Sequence, residues 1–261
     1  MKLTRAVSIV LTAGAMVAGL TACQNSPVAG TPSPDTAATT TGMVHPATSP
    51  APSPTASPGA SPVSTTAPQD ASVPTAAWIH SNRLPLNGSA HWPNLADSAQ
   101  PLGSNTFRID SLCAGTPVQV AGSENASSLI DRGDDNWSVQ QVIVHYPGDP
   151  WTMGQTAHAM FTALQGTLAG CQSTSPTAQL TMTTPKQFCP SMQRGGCNQV
   201  AAEIRLPDKH TTAHVYLAVV GSAVTELSVW STGTPAAPWQ DHPDEDVFAA
   251  MNPQLCSVWE C

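Results

Sequence analysis

The chain has 261 residues, with 17 acidic against nine basic side chains, a formal charge of -8. Its Lys and Arg are scattered singly, so the clustered cations that neutralise nucleic-acid phosphates are missing and nucleic acid is excluded as a partner. The same surplus of acid gives an anionic membrane surface nothing to attract.

Lys2 and Arg5 precede an uncharged apolar run over residues 6–19, and Leu20-Thr21-Ala22-Cys23 follows directly. That order is a secretory signal. The run is too short to cross a hydrocarbon core of ~30 Å as a permanent helix. Leu-Thr-Ala-Cys resembles the bacterial lipobox, which implies removal of a signal peptide, residues 1–22, and acylation of Cys23 with diacylglycerol and a further chain such as palmitate. Two or more chains make a stable anchor, since each buried CH2 contributes ~0.8 kcal/mol. The expected location is the cell membrane, lipid-anchored, on its extracytoplasmic face; the alternative is a plain secretory signal with Cys23 a bystander.

Residues 23–74 follow as a lipidated, disordered tether. From Gln24 to Pro74 the chain has no Leu, Ile, Phe, Tyr, Trp, Lys, Arg or Glu and is dominated by Pro, Ala, Ser and Thr. Such a segment cannot bury enough apolar surface to offset its ordering entropy. Its Ser-Pro and Ala-Pro steps favour an extended chain, and Thr39 to Thr41 offers a place for O-glycosylation. Every tryptophan lies beyond it, so one globular domain is expected over residues 75–261, a normal size for a single core.

Inside that domain, residues 136–146 are rich in β-branched and aromatic side chains and predict a strand, ended by Pro147 and Gly148. Over residues 150–170, Met153, Ala157, Met160, Phe161, Leu164 and Leu168 recur at helical spacing and predict an amphipathic helix with a core-facing stripe. Residues 178–183, 199–206, 213–220 and 224–230 read as strands, and residues 244–251 as a short closing helix introduced by Pro243. The fold class is therefore α+β: an antiparallel sheet packed with one long and one short helix.

A three-residue loop, Gly221-Ser222-Ala223, would pair Leu217 with Leu227 and Val215 with Val229, matching apolar to apolar. A two-residue loop would set Glu226 opposite Leu217, and a one-residue slip moves a whole side-chain set to the other face. The three-residue register gives the sheet one apolar face and one polar-aromatic face carrying His214, Tyr216, Glu226, Ser228 and Trp230, joined from the neighbouring strand by Glu203 and Arg205.

Beyond Cys23, six cysteines remain, Cys113, Cys171, Cys189, Cys197, Cys256 and Cys261. An even number in an exported chain reads as disulfides, with 15 connectivities open. The favoured set joins Cys189 to Cys197 across Pro190 and Gly195-Gly196, Cys256 to Cys261, and Cys113 to Cys171. Zinc is the rival, disfavoured because no Cys-x2-Cys pair occurs.

Sequence signatures of catalysis are missing: no Gly-x-Ser-x-Gly, Ser-x-x-Lys, His-Glu-x-x-His, phosphate-binding Gly-rich loop or EF-hand loop occurs. His210 and His214 stand four apart in a loop entering a strand, where helical metal spacing does not apply. Asp131, Asp134 and Asp135 read as a solvated turn, and Arg132-Gly133-Asp134 as a chance match to an adhesion tripeptide. No cofactor and no metal is expected.

Asp135-Asn136-Trp137 with its following strand, then the helix ending Leu168-Ala169-Gly170-Cys171, resembles the extracellular sensor domain of mycobacterial PknH-type serine/threonine kinases. The likeness runs from about Asn82 to Cys261. It implies a disulfide-stapled α+β fold with a cleft for an unidentified ligand, and binding rather than catalysis. This chain departs from the pattern in having three cysteine pairs where two are expected, and in lacking a kinase domain.

The sequence thus points to a non-enzymatic, membrane-anchored binding domain for a small ligand or an envelope protein, with Arg205, His214, Tyr216 and Glu226 as the candidate surface. The alternatives are an envelope hydrolase using Glu226 as a base beside His214, and a structural protein of the envelope.

Overall fold

The computed structural model describes residues 73–103, 107–188, 197–239 and 242–259, all within the unit Val63–Cys261. The signal sequence, Cys23, the tether up to residue 72, the loop with Cys189, Pro190, Gly195 and Gly196, and Cys261 lie outside the described residues. Among those described, no helix is long and apolar enough to cross a membrane.

The strands are β1 (Ala99–Pro101), β2 (Glu124–Ile130), β3 (Trp137–His145), β4 (Gln179–Met182), β5 (Lys186–Gln187), β6 (Cys197–Leu206), β7 (Thr211–Val220) and β8 (Ala223–Thr232). They form one sheet in the order β1-β2-β3-β8-β7-β6-β4, with β5 also pairing β6, and every pairing is antiparallel. The helices are α1 (Asn87–Ala90), α2 (Arg108–Leu112), α3 (Pro150–Ala169), α4 (Cys171–Thr174) and α5 (Asp244–Trp259).

Helix α3 starts where its chemistry predicts. The Asp149 side chain accepts the Thr152 N–H at 2.9 Å, and Pro150 stands where its missing N–H costs nothing. Its buried stripe, Met160, Phe161, Leu164 and Leu168, lies on one face of the sheet beside Val215, Leu217 and Val219 of β7. Wholly burying a Leu such as Leu164 or Leu168 contributes about 1.5–3 kcal/mol. The Cys113–Cys171 disulfide ties the loop after α2 to the end of α3. Cys197 and Cys256 are disulfide-bonded too.

The opposite face is just as apolar. Tyr216 and Ala218 of β7, Leu227 and Val229 of β8 and Ile143 of β3 pack with Phe248, Met251 and Leu255 of α5. Trp78, Ile79, Leu84, Leu86, Trp92 and Leu95, from the turns and short helices that precede β1, complete this second core. Gln141 fastens that segment to the sheet: its Oε1 accepts the Ile79 N–H at 3.2 Å.

Two expectations are corrected. The β7–β8 turn has two residues, Gly221 and Ser222, so Val220 faces Ala223, Leu217 faces Glu226, Tyr216 faces Leu227 and His214 faces Val229. Gly221 sits at φ 57, the positive value that the first central position of a tight hairpin turn of this hand requires. The burial argument for the longer loop assumed that one face was wet; both are covered, and either register buries its apolar residues. Helix α5 also runs to Trp259 rather than ending near Met251. Pro253 normally breaks a helix, but Leu255 is wholly buried beyond it and the Trp259 ring stacks on His145 at 4.5 Å, so tertiary packing carries the helix on.

Candidate functional site

The corrected register divides the four residues singled out from sequence. Arg205, His214 and Tyr216 lie on the α5 side of the sheet, whereas Glu226 shares the α3 side with Leu217. Glu226 is wholly buried. Its carboxylate accepts the Arg108 N–H at 2.8 Å, the Ile109 N–H at 3.5 Å and the Ser228 hydroxyl at 2.7 Å, covering donors that begin α2. The Arg108 guanidinium lies over the Trp230 ring, 3.8 Å from its centroid. Burial pushes the Glu226 carboxyl up to about 7, partly offset by those hydrogen bonds. This residue supports the fold, and the pairing of Glu226 as a base with His214 is ruled out because the sheet separates them.

On the α5 side the structure opens a cleft of about 230 Å³. Thr181 of β4, Glu203 of β6, and His214 and Tyr216 of β7 form its floor, and Trp239, His242 and Asp244 form its wall. Arg205 is not in the lining; its exposed Nε pairs with the Glu203 carboxylate at 2.5 Å. The cleft is wetter and better furnished than an apolar groove of about 690 Å³ bounded by Phe188, Phe248, Pro253 and Cys256.

The wall is held by the Asp-Asn-Trp segment that the sequence flagged. Asp135, at φ 59, gives its N–H to the Thr232 carbonyl and accepts the Ala236 N–H on its own carbonyl, while its carboxylate accepts the Thr234 N–H at 2.9 Å. Trp137 donates its indole N–H to the Ala237 carbonyl at 2.7 Å. Gly233 is at φ 89, and a Cβ there would stand 2.2 Å from the Asp135 carboxylate. Two residues beyond this clamp, Trp239 lies flat on His214, centroids 3.6 Å apart and planes within 6°, with Trp137 closing on it at 5.2 Å.

The polar groups of the cleft are mostly committed. Tyr216 and Asp244 act on each other's charge in the cleft, and burial is the main cause that raises both groups above their ordinary values. His242 accepts the Leu86 N–H on Nε2 at 3.3 Å. Among the described residues, no group of three or more His, Cys, Asp or Glu is placed to hold a metal ion. His210 ends the turn before β7, at φ 48, while His214 lies within the strand. Asp131 accepts from the Gly133 N–H and the Ser138 hydroxyl, so the acidic turn serves the backbone.

Trp239, His242 and Asp244 escaped the sequence reading because they follow the last strand by seven or more residues. Their one signal is the aromatic and acidic run Trp239 to Asp246, of which the sequence reading takes only the part from Pro243 onward, as the start of a helix.

No protein-family model matches the chain, and no curated protein matches it either. Among solved structures it is weakly similar to the extracellular domain of PknH from Mycobacterium tuberculosis, at 13% identity and a TM-score of 0.38, covering 70% of this chain and 94% of that one. It is also weakly similar to an uncharacterized protein from Mycobacterium smegmatis, at 12% identity and a TM-score of 0.28, covering 59% of this chain and 75% of that one. At such scores neither likeness bears on what this chain does.

Proposed function

We propose that this chain is an extracytoplasmic lipoprotein, anchored by acyl chains on Cys23, whose domain binds a small ligand without catalysis in the cleft between the β6–β7 floor and the wall of Trp239, His242 and Asp244. The observation that carries the reading is convergence: two aromatic rings, two imidazoles and two carboxylates from three separate parts of the chain meet at one concave site. Such a mix of apolar body and few polar groups is what ligand sites use. At about 230 Å³ the cleft suits a compact molecule.

The binding half is tested by a native mass spectrum of the chain gently purified from its own host. A small-molecule adduct is expected, absent from Trp239→Ala and retained by Trp151→Ala, whose side chain is exposed far from the cleft along the sequence. An adduct that survives Trp239→Ala defeats the reading. The anchoring half is tested by metabolic labelling: Cys23→Ala is expected to take up no labelled fatty acid and to leave the membrane fraction, and label in that variant defeats it.

A further inference from the structure

We infer that the ligand of this cleft is a small organic cation, held through an ammonium or guanidinium group at Asp244. The inference rests on the binding reading above and adds the chemistry of what is bound.

Charge accounting leads there. Glu203 is paired with Arg205 at 2.5 Å, and Glu245, on the turn of α5 that carries Asp244, is paired with Lys186 at 2.8 Å. Lys186 acts on Asp244 as well, so among these described residues three carboxylates, Glu203, Asp244 and Glu245, face two cations, Arg205 and Lys186, and one negative charge is left over, with the neutral Tyr216 hydroxyl beside Asp244. A carboxylate has about four acceptor sites, so a single phenol leaves most of its capacity to be met by a ligand.

Hydrogen-bond accounting agrees. The Thr183 hydroxyl gives its proton to the Ala201 carbonyl and accepts the Ala201 N–H at 3.0 Å, so it is spent. Among the residues lining the cleft, Glu203 and Asp244 carry negative charge and no Lys or Arg is present to match them. A ligand with several N–H donors fits that imbalance, and an anion would bring a second carboxylate or phosphate against Asp244. The Trp239 and Tyr216 rings along the same cleft favour a cation over a neutral polyol, since an aromatic face attracts positive charge.

The test is a titration of the exported chain, purified from its host, followed by tryptophan fluorescence and melting temperature. The probes are n-butylamine and agmatine as cations, with n-butanol and butyrate as neutral and anionic matches of the same size. Both cations are expected to bind at millimolar or lower concentration, and the alcohol and the acid are not. Asp244→Asn is expected to weaken cation binding by about tenfold or more, as loss of a charged hydrogen-bond partner does. Asp246→Asn, which removes the same charge from an exposed position in the same turn, is expected to change nothing. Should Asp244→Asn melt early, Asp244→Ser, a good residue for a helix start, replaces it. Binding of butanol or butyrate in preference to the amines overturns the cation inference and leaves the binding reading standing. Equal losses in Asp244→Asn and Asp246→Asn also overturn it, because general attraction by an acidic surface would then account for the amines. If no probe binds and the native spectrum shows no adduct, both readings fall together.

Discussion

The two faces of the sheet are built by different means, and the cleft follows from that difference. On one face a single 20-residue helix, α3, lays a continuous stripe of Met, Phe and Leu over the strands, and the Cys113–Cys171 disulfide closes its end. On the other, a series of short turns and helices before β1 and the later helix α5 share the covering. One long helix is set by its own hydrogen bonds and fills its side evenly. Short pieces must each be fastened to something else, as Ile79 is to Gln141 and the loop before Trp239 is to Asp135, and gaps remain where two pieces meet.

The strongest way to break the comparison is to truncate neighbouring residues that point to opposite faces. Leu217→Ala is expected to cost about 2–5 kcal/mol, and Tyr216→Ala, which also opens the second core, about 3–5 kcal/mol, the scale for removing a buried aromatic ring. Both are almost fully buried. Denaturant titration of the two variants checks this; a Tyr216→Ala cost near that of an exposed substitution would mean that the α5 side is no core at all.

A second measurement tests the sealed side through its protons. Burial raises Glu226 from 4.5 to about 7 and Asp110 from 3.8 to about 6. Between each ordinary value and the raised one the folded state binds more protons than the unfolded chain, so stability falls as pH rises. The contribution of these two groups to the melting temperature is expected to be complete below about pH 4, to be lost progressively as pH rises toward 7, and to be gone above that, where both are charged in either state. For a domain of this size each kcal/mol moves the midpoint by about 2–4 °C. Glu226→Gln is expected to remove about half of that slope and to leave the part due to Asp110. A slope of the opposite sign would mean that Glu226 is not sealed from water.

Gly233→Ala probes the clamp on the pieced side. Positive φ alone costs a residue with a Cβ about 1–2 kcal/mol, and the new atom would meet the Asp135 carboxylate. The expected result is a modest loss of stability with a large change in the fluorescence of Trp239, whereas an unchanged spectrum would detach the clamp from the cleft. The smallest effect belongs to the long helix: Asp149→Ala removes the acceptor of the Thr152 N–H and is expected to cost about 1 kcal/mol without altering probe binding.

Local signals were legible where the chain interacts with itself nearby. The spacing of Met160, Phe161, Leu164 and Leu168 and the β-branched run before Tyr146 predicted α3 and β3 nearly to the residue. β2, with the polar sequence Glu124-Asn125-Ala126-Ser127-Ser128, gave no such signal, and its middle is nonetheless buried between β1 and β3. The run Val215 to Val220 is apolar without alternation, which is the pattern of a strand covered on both sides, and it was the available warning that no wet face existed.

By itself, then, the sequence determined the α+β class, the long helix and most strands, because helical and strand periodicities are properties of consecutive residues and survive without knowledge of what covers them. What only the tertiary structure decided was the register of β7 against β8, the burial of both faces, and the meeting of His214 and Tyr216 with Trp239, His242 and Asp244. Those depend on which donor or ring arrives from a distant part of the chain. Glu226 could face Leu217 only because the N–H groups of Arg108 and Ile109, more than a hundred residues earlier, were there to receive its charge.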